Sequence, residues 1–158
     1  MKKRIWPGMI AGAVFLGDRV TKILAERIPP EGSTLIPGVV GLRYAQNRGI
    51  AFSLLSDVPW LPGVLSLVII IAAFLLLRGK KIPPAEMTGL MLMLGGALGN
   101  LADRLIRGFV PDMIEVLFVR FAIFNIADAC LCVGCAVVIL GLIFGRAEEE
   151  KTDGSKDG

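Results

Sequence analysis

The chain has 158 residues, 54% of them hydrophobic and only 20% charged, with a formal net charge of +3. Soluble domains usually carry about a quarter charged residues, so this balance and a mean hydropathy of +0.70 point to a membrane protein. The basic residues form short clusters between apolar runs, which excludes a nucleic-acid stripe, and the lack of histidine excludes Ser-His and Cys-His nucleophile pairs and His-based zinc sites.

Four apolar runs follow in chain order. The first, 5–24, is free of charge as far as Gly17 and then contains Asp18, Arg19 and Lys22. Met1-Lys2-Lys3-Arg4 looks like the start of a signal peptide. No small-residue cleavage site follows, so the run is expected to remain as a helix. The segment 25–57 contains Gly32-Ser33-Thr34-Leu35-Ile36-Pro37-Gly38-Val39-Val40-Gly41-Leu42-Arg43-Tyr44, which reads as short strands broken by turns. At roughly 33 residues it is too long for a bare connection, and a small sheet resting on the membrane is expected. The second run, 58–77, carries no charge, and its length of about 20 residues crosses roughly 30 Å of hydrocarbon. The third is uncharged over 87–102 and the fourth over 129–145. Each can gain a turn from flanking polar residues that face the protein interior. The cysteines Cys130, Cys132 and Cys135 fall inside the fourth run. On a helix the first two lie about 200° apart, so the set reads as packing residues and not as a metal site.

Dense basic clusters at the start and at Arg78-Gly79-Lys80-Lys81 place both termini in the cytoplasm. The expected fold is mainly α: a polytopic membrane protein with four transmembrane helices and a small β-rich extracytoplasmic segment between helices one and two. Residues 1–146 form one membrane domain. Residues 147–158 are a polar cytoplasmic tail expected to be disordered.

The polar residues at the ends of the runs recur at helical spacing. Asp18 and Lys22 are four apart, acid first, as in a helical ion pair. Asn100, Asp103, Arg104 and Arg107 share one side of the third run, and Asn125 and Asp128 share one side of the fourth. Asp112 lies between them, and all reach the same membrane face. Structural explanations cover many of these residues. Asp18 with Lys22, and Asp103 with Arg104, can simply fix geometry. Gly95, Gly96 and Gly99 suit close helix packing, Asn47 suits a turn and Glu115 a solvated surface. The dipole of a helix N-terminus accounts for Asp128 alone. It does not account for Asp112 and Asp128 together beside Asn100 and Asn125. Two carboxylates held close share a proton. One then takes a proton from water while the other donates to the carbonyl oxygen or leaving amine, which hydrolyses a peptide without metal or cofactor. A proton-coupled transporter and a non-enzymatic assembly subunit remain open from these residues. The clustering at one face, rather than along a midplane path, weighs against the transporter.

Asn47-Arg48-Gly49-Ile50-Ala51-Phe52-Ser53, Gly99-Asn100-Leu101-Ala102-Asp103-Arg104 and Phe124-Asn125-Ile126-Ala127-Asp128 resemble the three strongest motifs of the lipoprotein signal peptidases. Asp18-Arg19-Val20-Thr21-Lys22 resembles the first-helix motif of that family, and Val110-Pro111-Asp112-Met113 its first catalytic segment. The set occurs in the expected order. The resemblance implies a monomeric four-helix aspartic protease with Asp112 and Asp128 as the catalytic pair, cutting diacylglyceryl-modified prolipoproteins before the lipidated cysteine. It further implies inhibition by globomycin at the same site, no cofactor, and a place in the bacterial cytoplasmic membrane with the site near the extracytoplasmic face. Asn47, Gly49, Phe52, Asn100, Asp103, Arg104, Asn125 and Ala127 are implied to line or brace the site, with Asp18 and Lys22 in support. Two positions depart from the family pattern: Arg19 stands where glutamine is usual, and Pro111 where a small β-branched residue is usual.

Overall fold

Proline marks where two of the helices begin. Helix α1 (Trp6–Ala25) has a proline in its first turn and α3 (Pro84–Arg107) starts on one, positions at which a missing N–H costs nothing. The computed structural model describes residues 5–49, 60–77 and 82–153. Among these the remaining elements are β1 (Ser33–Ile36), β2 (Val40–Asn47), α2 (Leu61–Leu77), β3 (Val110–Val116) and α4 (Ile126–Asp153). The protein is mainly helical with a small three-stranded sheet.

Helix α3 is the central one. In its most apolar stretch 56% of the residues are buried, against 11% for α4. Its glycines explain the difference. A Cβ on Gly95 would lie 2.6 Å from the Ala11 carbonyl oxygen of α1, and one on Gly96 would lie 2.5 Å from that of Ala127 in α4. Backbones on both sides thus approach more closely than any side chain permits. Leu90 and Met91 of α3 pack with Ala11 as the buried apolar core. By contrast, Val68, Ile69 and Phe74 of α2 and Val133, Ile139, Leu142 and Phe144 of α4 are exposed, an apolar perimeter suited to a hydrocarbon solvent. Helix α3 and residues Ile126–Phe144 of α4 have the length and apolarity to cross a bilayer.

Helix α4 is helical to Asp153, so residues 147–153, expected to belong to a disordered tail, prolong it.

The sheet also differs from expectation. Its order is β1-β2-β3, all antiparallel, and β3 comes from the segment between α3 and α4, not from the one between α1 and α2. The turn at Gly108 makes this possible: its φ of +74 ends α3, its N–H bonds the Arg104 carbonyl at 3.1 Å, and β3 starts two residues on. Pro111 fits because β3 lies at the edge of the sheet, where a missing ladder donor is tolerated. Val110 is extended, as a residue before proline prefers. Strand β2 carries one extra residue relative to β3: Leu42 pairs with Ile114, but Ala45 pairs with Asp112, the signature of a β-bulge.

Candidate active site

Asn125 directly precedes α4, and it exchanges hydrogen bonds with Asp128 in the first turn. The Asp128 N–H donates to Asn125 Oδ1 at 2.9 Å, and the Asn125 N–H donates to Asp128 Oδ2 at 3.3 Å. This reciprocal pattern satisfies two free donors of the helix end. With its oxygen so engaged, the Asn125 amide turns its NH2 outward, and Nδ2 donates to Asp112 Oδ1 at 2.6 Å. One asparagine therefore links both acids.

Two further amides follow the same logic. Asn47 Oδ1 accepts the Gly49 N–H at 3.0 Å, and Asn47 Nδ2 donates to Asp112 Oδ2 at 3.0 Å. Asn100 Oδ1 accepts from Lys22 Nζ at 2.8 Å, and Asn100 Nδ2 donates to Asp128 Oδ1 at 2.7 Å. In every case a donor occupies the amide oxygen, so the NH2 group faces a carboxylate. Asp112 is almost fully buried on β3. Burial, and then the charge of Asp128, push its carboxyl up to about 6, against the opposing Asn125 and Asn47 hydrogen bonds and the Lys22 charge.

A second cluster lies behind the first. Lys22 Nζ reaches Asp18 Oδ2 at 2.7 Å and Asp103 Oδ2 at 2.8 Å, with all three side chains fully buried. Asp18 Oδ1 accepts the N–H of Ala127 at 3.0 Å, tying α1 to α4. Gly99 leaves room for the same carboxylate: a Cβ there would lie 2.7 Å from Asp18 Oδ2. Arg19 donates to Asp103 Oδ1 at 2.6 Å, and Arg107 pairs with Glu26. Arg104 donates to the carbonyls of Gly49 at 2.9 Å and Asn100 at 3.3 Å, so α3 holds the chain just beyond Asn47 at the end of β2.

The structure thus gathers Asn47, Gly49, Asn100, Arg104, Asn125, Asp112 and Asp128 into one network. Asp18, Lys22, Asp103 and Ala127 join it through Asn100. Phe52 lies outside the described residues. Glu115, expected in solvent, pairs with Arg43 at 3.2 Å. Of the cysteines expected as packing residues, Cys132 and Cys135 are exposed and Cys130 is half-buried. Their positions on the outward and cleft-facing sides of α4 explain this. Sequence reasoning missed Arg19 as a partner of Asp103, a contact across 84 positions that no local spacing announces. It also missed Phe121, Ala122 and Ile123, which wall the site from a loop with no recognisable motif.

The two acids open onto different spaces. Asp112 lines an open hollow of about 710 Å³ beside the sheet, with Gln46, Glu115 and Arg120. Asp128 lines a mostly apolar cleft of about 460 Å³ among α2, α3 and α4, with Pro62, Ser66, Ala97, Leu131 and Cys132. Asn47 and residues 121–123 border both.

A family model described as signal peptidase (SPase) II matches residues 10–144. The chain belongs to the signal peptidase II family. Relatives named lipoprotein signal peptidase include one from Streptococcus pneumoniae, 39% identical over 90% of this chain and 95% of its own length. Another, from Syntrophomonas wolfei, is 39% identical over 92% of this chain and 97% of its own length. Among solved structures, a bacterial membrane enzyme determined by the in meso method at 2.3 Å superposes with a TM-score of 0.82, at 26% identity over 92% of both chains. A second bacterial membrane enzyme, at 1.9 Å, gives a TM-score of 0.75 at 29% identity, over 89% of this chain and 94% of that one. Members of the family are peptidases, and the long apolar helices of this chain fit the membrane setting of those two enzymes.

Proposed function

We propose that this chain is an aspartic endopeptidase of the bacterial cytoplasmic membrane. It removes the signal peptide from diacylglyceryl-modified prolipoproteins by cutting before the lipidated cysteine. The observation that carries this reading is the linkage of Asp112 to Asp128 through Asn125, with amides as their side-chain hydrogen-bond partners among the described residues and the Arg104 and Lys22 charges near but not ion-paired with them. Ion pairs among the described residues run through Asp18, Glu26, Asp103 and Glu115, none through Asp112 or Asp128.

In this reading Asp112 holds the shared proton, because burial and the neighbouring charge favour its neutral form. The Asp128 carboxylate takes a proton from water as the water attacks the scissile carbonyl. Asp112 gives its proton to the carbonyl oxygen. The proton gained by Asp128 then passes to the leaving amine, and as the C–N bond breaks the carbonyl re-forms and returns its proton to Asp112, which restores the starting pair. Asn47, Asn100 and Asn125 hold the two acids in place. The apolar cleft at Asp128 suits the lipid chains of the substrate, and the more open hollow at Asp112, with polar and apolar walls, suits its polypeptide part. Four spans, both termini in the cytoplasm and the acids near the extracytoplasmic face complete the arrangement. The protein acts as a monomer, and globomycin occupies the same site.

The test is a gel-shift assay on purified protein in detergent with a diacylglyceryl-modified prolipoprotein. Cleavage before the lipidated cysteine is expected, absent with unlipidated substrate and with Asp128→Asn. No cleavage by folded protein would overturn the reading. Proton-coupled flux in liposomes would then be measured next.

A further inference from the structure

Lys22 Nζ lies against three oxygens: it ion-pairs with two acids and donates a hydrogen bond to an amide. Asp18 and Asp103 receive two contacts, and the third goes to Asn100 Oδ1 at 2.8 Å. The two acids are anchored away from the site, Asp18 by the Ala127 N–H of α4 and Asp103 by Arg19 of α1. The ammonium position is therefore set by three helices before the site is reached. Asn100 then carries that position on to Asp128 Oδ1 at 2.7 Å.

We propose that Lys22 is a positioning residue for the reaction: by holding the Asn100 oxygen, it keeps the Asn100 NH2 group on Asp128 Oδ1 and fixes the direction in which that carboxylate points. The inference rests on the reading of Asp112 and Asp128 as the reacting pair. A hydrogen bond from an ammonium is shorter and stronger than one between neutral groups, and it orients an amide whose two ends are otherwise nearly interchangeable in shape. The other Asn100 Oδ1 contact, from Asn125 Nδ2, is long at 3.3 Å. That same NH2 group serves Asp112 at 2.6 Å. Without Lys22, Asn100 Oδ1 competes with Asp112 for Asn125, and both acids lose alignment. With Lys22 in place, Asp128 Oδ1 is tightly held. Oδ2, which among the described residues accepts only the 3.3 Å bond from the Asn125 N–H, is the oxygen left to receive the proton of water.

A double-mutant cycle tests this. Asp18→Asn serves as the background, so that removing the Lys22 charge leaves no unmatched acid at position 18. Asp103 keeps Arg19 and Arg107. In that background Lys22→Met is expected to lower kcat by about tenfold, the value of a charge-assisted hydrogen bond, with KM unchanged. When Asn100→Ala is also present, Lys22→Met is expected to change kcat less than about twofold, because the relay is already cut. An equal loss of kcat in both backgrounds, or a loss confined to melting temperature, would overturn the proposal. Asn100→Asp provides a second arm that leaves Lys22 intact. It keeps an acceptor for the ammonium but offers Asp128 no N–H, and kcat is expected to fall at least about tenfold in a protein that melts as the parent does. Parental kcat in that variant would equally overturn the relay. Failure of the underlying reading is distinguishable: it shows as no cleavage by the parent, or as cleavage surviving Asp128→Asn.

Discussion

Asp18 and Asp103 share one buried network with Asp112 and Asp128, yet the two pairs are treated in opposite ways. The first pair is met by cations: Lys22 between them, with Arg19 on Asp103. The second is met by the amides of Asn47, Asn100 and Asn125 and by one backbone N–H. Cations balance a buried carboxylate charge for charge, and the result is a fixed strut between helices. Amides orient a carboxylate without cancelling its charge, so burial still raises its proton affinity, as at Asp112. In the proposed mechanism the first pair holds helices together and the second exchanges protons.

The comparison breaks most completely at the second pair. Asp112→Asn and Asp128→Asn are each expected to abolish cleavage, a loss of at least ~10³-fold, with no drop in melting temperature. Normal processing by either variant would remove it from the reacting pair. At the first pair the effect is expected in stability. Lys22→Met in the otherwise unaltered chain leaves two buried acids without their shared partner and is expected to cost about 3–5 kcal/mol, read by thermal melting in detergent. Asp103→Asn is expected to lower activity in step with the amount of folded protein. A variant that is folded, abundant and fully active would show its network to be unimportant.

A smaller effect concerns pH. Asp112 must keep its proton to act as an acid, so kcat/KM is expected to fall as pH rises through about 6. Asn47→Ala removes a hydrogen bond that favours the charged form, so this limb is expected to move to higher pH. A downward move would reverse the assignment of the proton to Asp112. The smallest change is expected at Glu115→Gln. Its pair with Arg43 is half in solvent and is worth less than ~1 kcal/mol, so melting and activity should both stay within error.

Much of this division was legible in the sequence, because helices write their contacts at spacings of three and four. Asp18 with Lys22, Asn125 with Asp128, and the glycines at 95, 96 and 99 could all be placed on helix faces before any fold was known. The apolar runs gave the helices themselves. What escaped depends on contacts between distant segments. Strand β3 is short, and Pro111, Asp112 and Glu115 interrupt its apolar pattern, so only pairing with β2 makes it a strand. Arg19 looked like a departure without a partner, since nothing near it in sequence names Asp103. The orientation of the three amides follows from donors on other elements.

The extra residue in β2 has a consequence for how this segment can change. Val110, Asp112, Ile114 and Val116 alternate regularly along β3 and share a face. Their partners on β2 are Asn47, Ala45, Leu42 and Val40, two even-numbered and two odd-numbered positions that a regular strand would place on opposite faces. The bulge is what lets Asn47 aim at Asp112 while Val40 and Leu42 stay in the apolar layer against α1. Chain length across positions 43 and 44, and not the side chains there, therefore decides where Asn47 points. Arg43 and Tyr44 can be exchanged for other residues far more freely than either can be deleted.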